Sequence, residues 1–159
     1  MSQAESTTNP AMRLDAQLCF AVHAASRAFD GLYRVTLRDS GLTYPQYLVM
    51  LALWEHGDLT VKDLGAKLRL DSGTLSPLLK RMETAGLLER RRATADERSV
   101  VVALTEAGAE LKQIACEVPL HTAASTGMEL AQVIELHGRL VELTASLDAA
   151  TARLAAAAA

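Results

Sequence analysis

Apolar residues recur every three or four positions along most of this chain, and the interruptions divide it into helices separated by short stops. From Ala11 to about Leu37, the residues Leu14, Leu18, Ala21, Val22, Ala25, Phe29, Leu32 and Val35 keep helical spacing and predict one long amphipathic helix with Gly31 inside it. Gly41 interrupts the pattern, Thr43 is placed as a cap, and Pro45 opens a second helix reaching about His56. Its run Leu48, Val49, Leu51, Ala52, Leu53, Trp54 is apolar almost all round, which predicts burial in the middle of the fold. Gly57-Asp58 is the next stop. Thr60 with Asp63 three residues on predicts a capped short helix carrying Val61, Leu64 and Leu68.

A turn at Arg69 to Asp71 leads to a fourth helix, for which Asp71 or Ser72 can cap the first amides. Leu75, Leu78, Leu79 and Met82 fall on one face, leaving Ser72, Thr74, Ser76, Lys80 and Arg81 toward solvent. Gly86 ends this helix, and the pattern becomes extended. Leu87 to Arg92 and Ser99 to Leu104 predict two strands, joined by a polar tip with Asp96, Glu97 and Arg98. Thr105, Glu106 and Gly108 open another helix expected to run toward Pro119, where the chain must bend or break. After Thr126-Gly127 a last helix carries Leu130, Val133, Ile134, Leu140, Val141, Leu147 and Leu154 into an alanine-rich tail. Met1 to Pro10 is polar and aperiodic, and is expected to be a disordered arm.

These elements describe a mainly α fold with a small β-wing. Residues 44–104 read as a winged helix-turn-helix, and 11–40 with 105–159 as a helical dimerisation body, all within one domain over 11–159. A solvent-facing helix of hydroxyls and bases fits a major groove, and an arginine at a wing tip reaches the adjacent minor groove. Such reading heads commonly work in two-fold pairs on half-sites about 34 Å apart, so a homodimer on a palindromic double-stranded operator is expected.

Charge changes the picture only when counted by segment. The whole chain carries −3, yet residues 62–98 hold nine Lys or Arg against six acids, a net of +3 on an otherwise acidic body. Lys80, Arg90, Arg91 and Arg92 are expected on phosphates, Ser72, Thr74, Ser76 and Arg81 on base edges, and Asp96 and Arg98 at the wing tip. With half of its 159 residues hydrophobic, the chain can bury a real core. No charge-free apolar run of about 18 residues is present, so no membrane partner is expected and the protein is read as cytoplasmic. Two cysteines, Cys19 and Cys116, are too few for a disulfide scaffold. Phosphate loops, catalytic carboxylate pairs and nucleophile elbows are missing, so no enzyme and no cofactor is expected. The histidines at 23, 56, 121 and 137 show no tight ligand pair beyond Cys19-x-x-x-His23, and no metal site is expected.

The stretch Asp71-Ser72-Gly73-Thr74-Leu75-Ser76-Pro77-Leu78-Leu79-Lys80-Arg81-Met82-Glu83, with the wing Asp96-Glu97-Arg98-Ser99, resembles the MarR family of winged-helix regulators. Within it the likeness is to the organic-hydroperoxide sensors of the OhrR type, over roughly Leu14 to Pro119. The resemblance implies a recognition helix at Ser72 through Arg81 and a minor-groove arginine at Arg98. It also implies a reactive cysteine at Cys19, in the setting Leu18-Cys19-Phe20-Ala21, and two tyrosines, Tyr33 and Tyr44, whose hydroxyls hydrogen-bond the sulfur. Many OhrR sequences have a tyrosine where His23 stands. Some members use a second, resolving cysteine; for Cys116 a resolving role and an inert one both stand.

Cys19 and Tyr33 lie fourteen residues apart, which along a helix is about 21 Å. For Tyr33 to hold the Cys19 sulfur, either a second chain supplies it, with first helices crossing antiparallel, or the helix folds back at Gly31. The family's answer is the second chain. A free thiol has a pKa of about 8.5 and only the thiolate attacks peroxide; phenol donors, and His23 one turn on, would favour that anion. Organic hydroperoxides and small thiols are then the expected reactants, and Phe20, Val22 and Phe29 favour the greasier peroxides. Two other functions compete: release by a small aromatic or phenolic ligand with Cys19 a bystander, and a thiol peroxidase using Cys19.

Overall fold

Among residues 12–92 and 99–158, which the computed structural model describes, the core forms around the helix whose sequence is apolar almost all round. The order is α1 (Leu18–Thr36), α2 (Tyr44–His56), β1 (Leu59–Thr60), α3 (Val61–Leu68), α4 (Ser72–Thr84), β2 (Leu88–Arg92), β3 (Val100–Leu104), α5 (Glu106–Ala115), α6 (Val118–Ala124) and α7 (Leu130–Ala157). Two compact units result, one ending at Cys116 and one beginning at Glu117. In the first, Tyr47, Val49, Met50 and Leu53 of α2, Leu64 of α3, and Leu75, Leu79 and Met82 of α4 are at most 2% exposed, with Leu37, Leu88 and Val102. Each such side chain contributes about 1.5–3 kcal/mol by leaving water.

Local signals place the elements around that core. Thr43 donates its backbone N–H to Gln46 Oε1 at 2.8 Å, opening α2 with Pro45 in its first turn. Thr60 Oγ1 accepts from the Asp63 amide at 3.0 Å and donates to its carboxylate at 2.7 Å, opening α3. The sheet is antiparallel in the order β1-β3-β2, with Leu88 opposite Leu104, Arg90 opposite Val102 and Leu59 also opposite Val102. The two-residue β1 is too short to leave an alternating pattern, and the sequence reading misses it.

Two boundaries differ from expectation. The first helix begins at Leu18 rather than Ala11, because Gln17 is extended and Leu14–Ala16 form a separate 3-10 turn, tied by Arg13 to Asp15 at 2.6 and 3.0 Å. The helix after the wing stops at Ala115, and Pro119 lies in the first turn of α6, where its missing N–H costs nothing. The expected wing tip with Asp96 and Arg98, and the expected arm, lie outside the described residues. In the second unit, Gly127 in the left-handed region (φ 69°) precedes α7, which runs 28 residues with none buried. Among the described residues no helix is long and apolar enough to cross a membrane.

Candidate nucleic-acid interface and thiol sensor

The helix that would read DNA is fixed at both ends. Asp71 accepts from the Thr74 amide at 2.9 Å and from its hydroxyl at 3.1 Å, and these bonds, the amide's first, hold the carboxyl below its usual range. At the other end Gly86 adopts φ 73°, with its N–H on Glu83 O at 2.9 Å and that of Leu87 on Met82 O at 3.0 Å. Leu75, Leu78, Leu79 and Met82 are buried, and Ser72, Thr74, Ser76, Lys80 and Arg81 are exposed, as the spacing predicts.

The wing is clamped to this helix by a side chain that the sequence reading does not single out. Glu83 accepts the Arg90 backbone N–H at 3.1 Å, and its Nε and Nη2 at 3.0 and 2.6 Å, which lowers the Glu83 pKa, the guanidinium bonds first. Arg91 pairs with Asp58, in the turn before β1, and lies 3.7 Å from Glu89. Arg92 has no ion pair among the described residues. The Arg90-Arg91-Arg92 run is thus less positive than its letters imply. Lys62, another residue the sequence reading leaves out, lines a recess of about 390 Å³ together with Thr60, Ser76, Arg90 and Ser99.

The sensor candidates lie on α1 and α2. Cys19 is the second residue of α1 and exposed; His23, one turn on, is exposed too, and Phe20, Val22 and Phe29 of the same helix are each about two-fifths exposed. Tyr33, near the other end of α1, stacks on Tyr44 at the start of α2 with ring centroids 4.3 Å apart. The structure therefore brings the two tyrosines together. The helix passes unbroken through Gly31, so no fold-back carries Cys19 to them. Tyr47, a third tyrosine absent from the sequence expectation, sits 6.0 Å from Tyr33, is 2% exposed, and has a hydroxyl without a partner among the described residues. Its spacing of three from Tyr44 was the available signal. Burial, then Tyr33 and Tyr44, pushes its pKa up to about 12. Burial also raises that of Tyr44, with smaller contributions from Tyr33 and Asp30.

Cys116 follows α5, exposed, and its thiol donates to Gln113 O at 3.0 Å. Among the described residues no group of three or more His, Cys, Asp and Glu is placed to hold a metal ion.

A family model described as transcriptional regulator SarA/Rot matches residues 31–114. The organic hydroperoxide resistance transcriptional regulator of Bacillus subtilis strain 168 is 50% identical over 125 residues, 77% of this chain and 85% of that protein. The HTH-type transcriptional regulator TtmR of Methylorubrum extorquens strain PA1 is 48% identical over 136 residues, 86% of this chain and 70% of that one. Of solved structures, reduced AbfR bound to DNA is 35% identical, covers 86% of this chain and 95% of its own, and superposes with a TM-score of 0.70. Disulfide-formed AbfR is 38% identical over 84% and 93%, at 0.58; AbfR is a protein of Staphylococcus epidermidis.

Proposed function

We propose, on the premise that the chain belongs to the SarA/Rot-type, MarR-like family of winged-helix transcriptional regulators, that it is a homodimeric repressor which leaves a palindromic operator when an organic hydroperoxide oxidises Cys19. The family consists of regulators of transcription rather than enzymes. The observation that carries the peroxide switch is the stack of Tyr33 on Tyr44, with Cys19 at the far end of an unbroken helix. A thiol fourteen residues from Tyr33, about 21 Å along the axis, meets that pair only when a second α1 crosses antiparallel. Leu14, Leu18 and Val35 are 60–64% exposed, and Ile134, Leu147 and Leu154 at least 58%. Apolar stripes of that size call for a covering partner.

In the proposed site the partner's phenols donate to the Cys19 sulfur and favour its thiolate. The thiolate attacks one peroxide oxygen; the O–O bond breaks, an S–O bond forms, and the alkoxide leaves, taking a proton as an alcohol. The sulfur gives up two electrons and becomes a sulfenic acid, which a small thiol then caps, releasing water and forming a disulfide. The tyrosines lose their acceptor, and the spacing of the two reading heads changes. Ser72, Thr74, Ser76 and Arg81 serve base edges; Lys80 and Arg92 serve phosphates, and Arg98 the minor groove. Cys116 serves as the resolving thiol only if oxidised protein contains a Cys19–Cys116 bond. Working on chromosomal DNA, the protein acts in the cytoplasm.

The names of the relatives agree with this chemistry: one regulates organic hydroperoxide resistance, and another is solved both reduced on DNA and as a disulfide. The test is operator binding by fluorescence anisotropy before and after about one equivalent of cumene hydroperoxide, for wild type and Cys19→Ser. Release by the wild type and retention by Cys19→Ser are expected. A wild type that stays bound overturns the switch and leaves a small aromatic ligand as the effector to test.

A further inference from the structure

The three tyrosines do not end at the sensor. Along α2, positions 44, 47 and 54 fall within about 80° of one another around the helix axis, so one stripe carries Tyr44, Tyr47 and Trp54. Tyr33 stacks on Tyr44, Tyr47 lies 6.0 Å from Tyr33, and Trp54 meets Tyr47 edge-on at 6.3 Å and 66°. Edge-to-face contact at this distance is favourable and directional, so the rings settle into few relative orientations.

Trp54 in turn is held by α5 on two sides. Its indole N–H donates to Gly108 O at 3.0 Å, and its own carbonyl accepts from Lys112 Nζ at 3.5 Å. Gly108 stands where nothing larger fits, since a Cβ there would be 2.0 Å from Leu87 O. Around it, Thr105 Oγ1 donates to Gly86 O at 2.6 Å and accepts from the Gly108 amide at 3.1 Å, and the Thr105 amide donates to Leu87 O at 3.2 Å. Gly86 and Leu87 are the link between the end of α4 and the start of β2. The indole hydrogen bond therefore ends on the knot that sets recognition helix and wing relative to each other.

We infer that Trp54 is a positioning residue that transmits the state of the tyrosine pair to the junction of α4 and β2, through its indole hydrogen bond to Gly108. The inference rests on the peroxide switch proposed above. Packed interiors move between discrete arrangements rather than deforming smoothly, so a shift of Tyr33 and Tyr44 reaches Tyr47 and Trp54 as a change of ring seating. Ordinary core packing would make Trp54 matter equally in the reduced and oxidised states. Transmission makes it matter to the difference between them.

Full-length wild type and Trp54→Phe are compared in three measurements: operator Kd when reduced, operator Kd after cumene hydroperoxide, and the rate of Cys19 thiol loss by mass spectrometry. The variant keeps a ring and loses the N–H. Thiol loss at the wild-type rate and reduced-state affinity within about twofold are expected, with the oxidation-dependent loss of affinity reduced at least about tenfold, inside the usual range of couplings between sites. A variant released as fully as wild type overturns the inference and leaves the switch standing. A wild type that does not release overturns the switch and the inference with it. Should Trp54→Phe fold poorly, the wild type supplies its own probe, because Trp54 is the only tryptophan. Its emission should change on peroxide treatment without DNA, and stay constant in Cys19→Ser; constant emission in an oxidised wild type overturns the inference.

Discussion

The stretch from α2 to β3 and the two longest helices obey opposite economies. In the former, alternate faces are sorted: Leu64, Leu75, Leu79, Met82 and Val102 are at most 1% exposed, and polar side chains cap α2, α3 and α4. In α1 and α7, 19 and 28 residues long, no residue is buried in one chain, although both carry apolar stripes as regular as any in the reading head. A helix within a protein is held mostly by packing of its apolar face. The reading head is thus packed by contacts within one chain, and the long helices leave their apolar faces uncovered there. The sensor proposed on α1 would inherit that dependence, and its state would then be a property of the proposed dimer.

The most severe way to break this contrast is a charge on the waiting surface. Ile134→Glu in α7, at a position 63% exposed in the single chain, would be nearly neutral if that face stayed in water. The expected outcome is instead a monomer by sedimentation and a loss of operator affinity above about 100-fold, since half-sites would then be bound singly. Leu79→Ala, at a residue 0% exposed, sets the other pole. It should cost about 2–5 kcal/mol in thermal or urea unfolding while leaving the subunit stoichiometry unchanged. An Ile134→Glu protein that remains a tight operator-binding dimer would erase the distinction.

The same contrast explains what could be read from the letters. Caps and periodicity are local, so α2, α3 and α4 come out close to their observed bounds from Thr43, Thr60, Asp71 and Gly86. Where a boundary rests on one residue's backbone angles, as at Gln17, or on whether a proline starts or ends a helix, as at Pro119, periodicity is silent. At the proposed sensor, the likeness to hydroperoxide regulators singles out Tyr33 and Tyr44 as partners of the Cys19 sulfur; in one chain they stack on each other, and Cys19 lies at the far end of the helix. Tyr47 and Trp54 pass unnoticed because on an all-round apolar helix they look like further core. Their role depends on Gly108, 54 residues beyond Trp54. The arginine run misleads for a related reason: partners at Glu83 and Asp58 are remote in sequence or on another element.

That neutralisation sharpens the comparison within the reading head itself. Glu83→Gln keeps the shape of the clamp and removes its charge, leaving Arg90 with a full positive charge to offer a phosphate. Each added phosphate contact steepens the dependence of log K on log salt by about 0.9. Operator titrations between low and moderate salt should therefore show a slope about one unit steeper for Glu83→Gln than for wild type. An unchanged slope would mean that Arg90 stays committed to the wing and never meets DNA. Because the Glu83 carboxyl is held below its usual range, the clamp's contribution is present at neutral pH and is lost as pH falls through the carboxylate range.

The smallest effect at working pH comes from Tyr47, and its sign follows from linkage. A phenol whose pKa is raised on folding, from the ordinary 10.0 to about 12, binds its proton more tightly in the folded state. Its contribution is complete below pH 10 and is lost as pH climbs through that interval, because the unfolded chain ionises first. Tyr47→Phe has no proton to lose, and it also deletes a buried hydroxyl without a partner among the described residues. Near neutrality the melting temperature should stay level or rise slightly, since removing an unpaired buried donor costs little. Between pH 10 and about pH 12 the wild type should lose melting temperature faster than Tyr47→Phe when both are followed by circular dichroism. Parallel curves would mean that the Tyr47 hydroxyl reaches water or a partner in the proposed dimer. The tyrosine cluster would then belong with the surfaces that await a second chain rather than with the sealed core of the reading head.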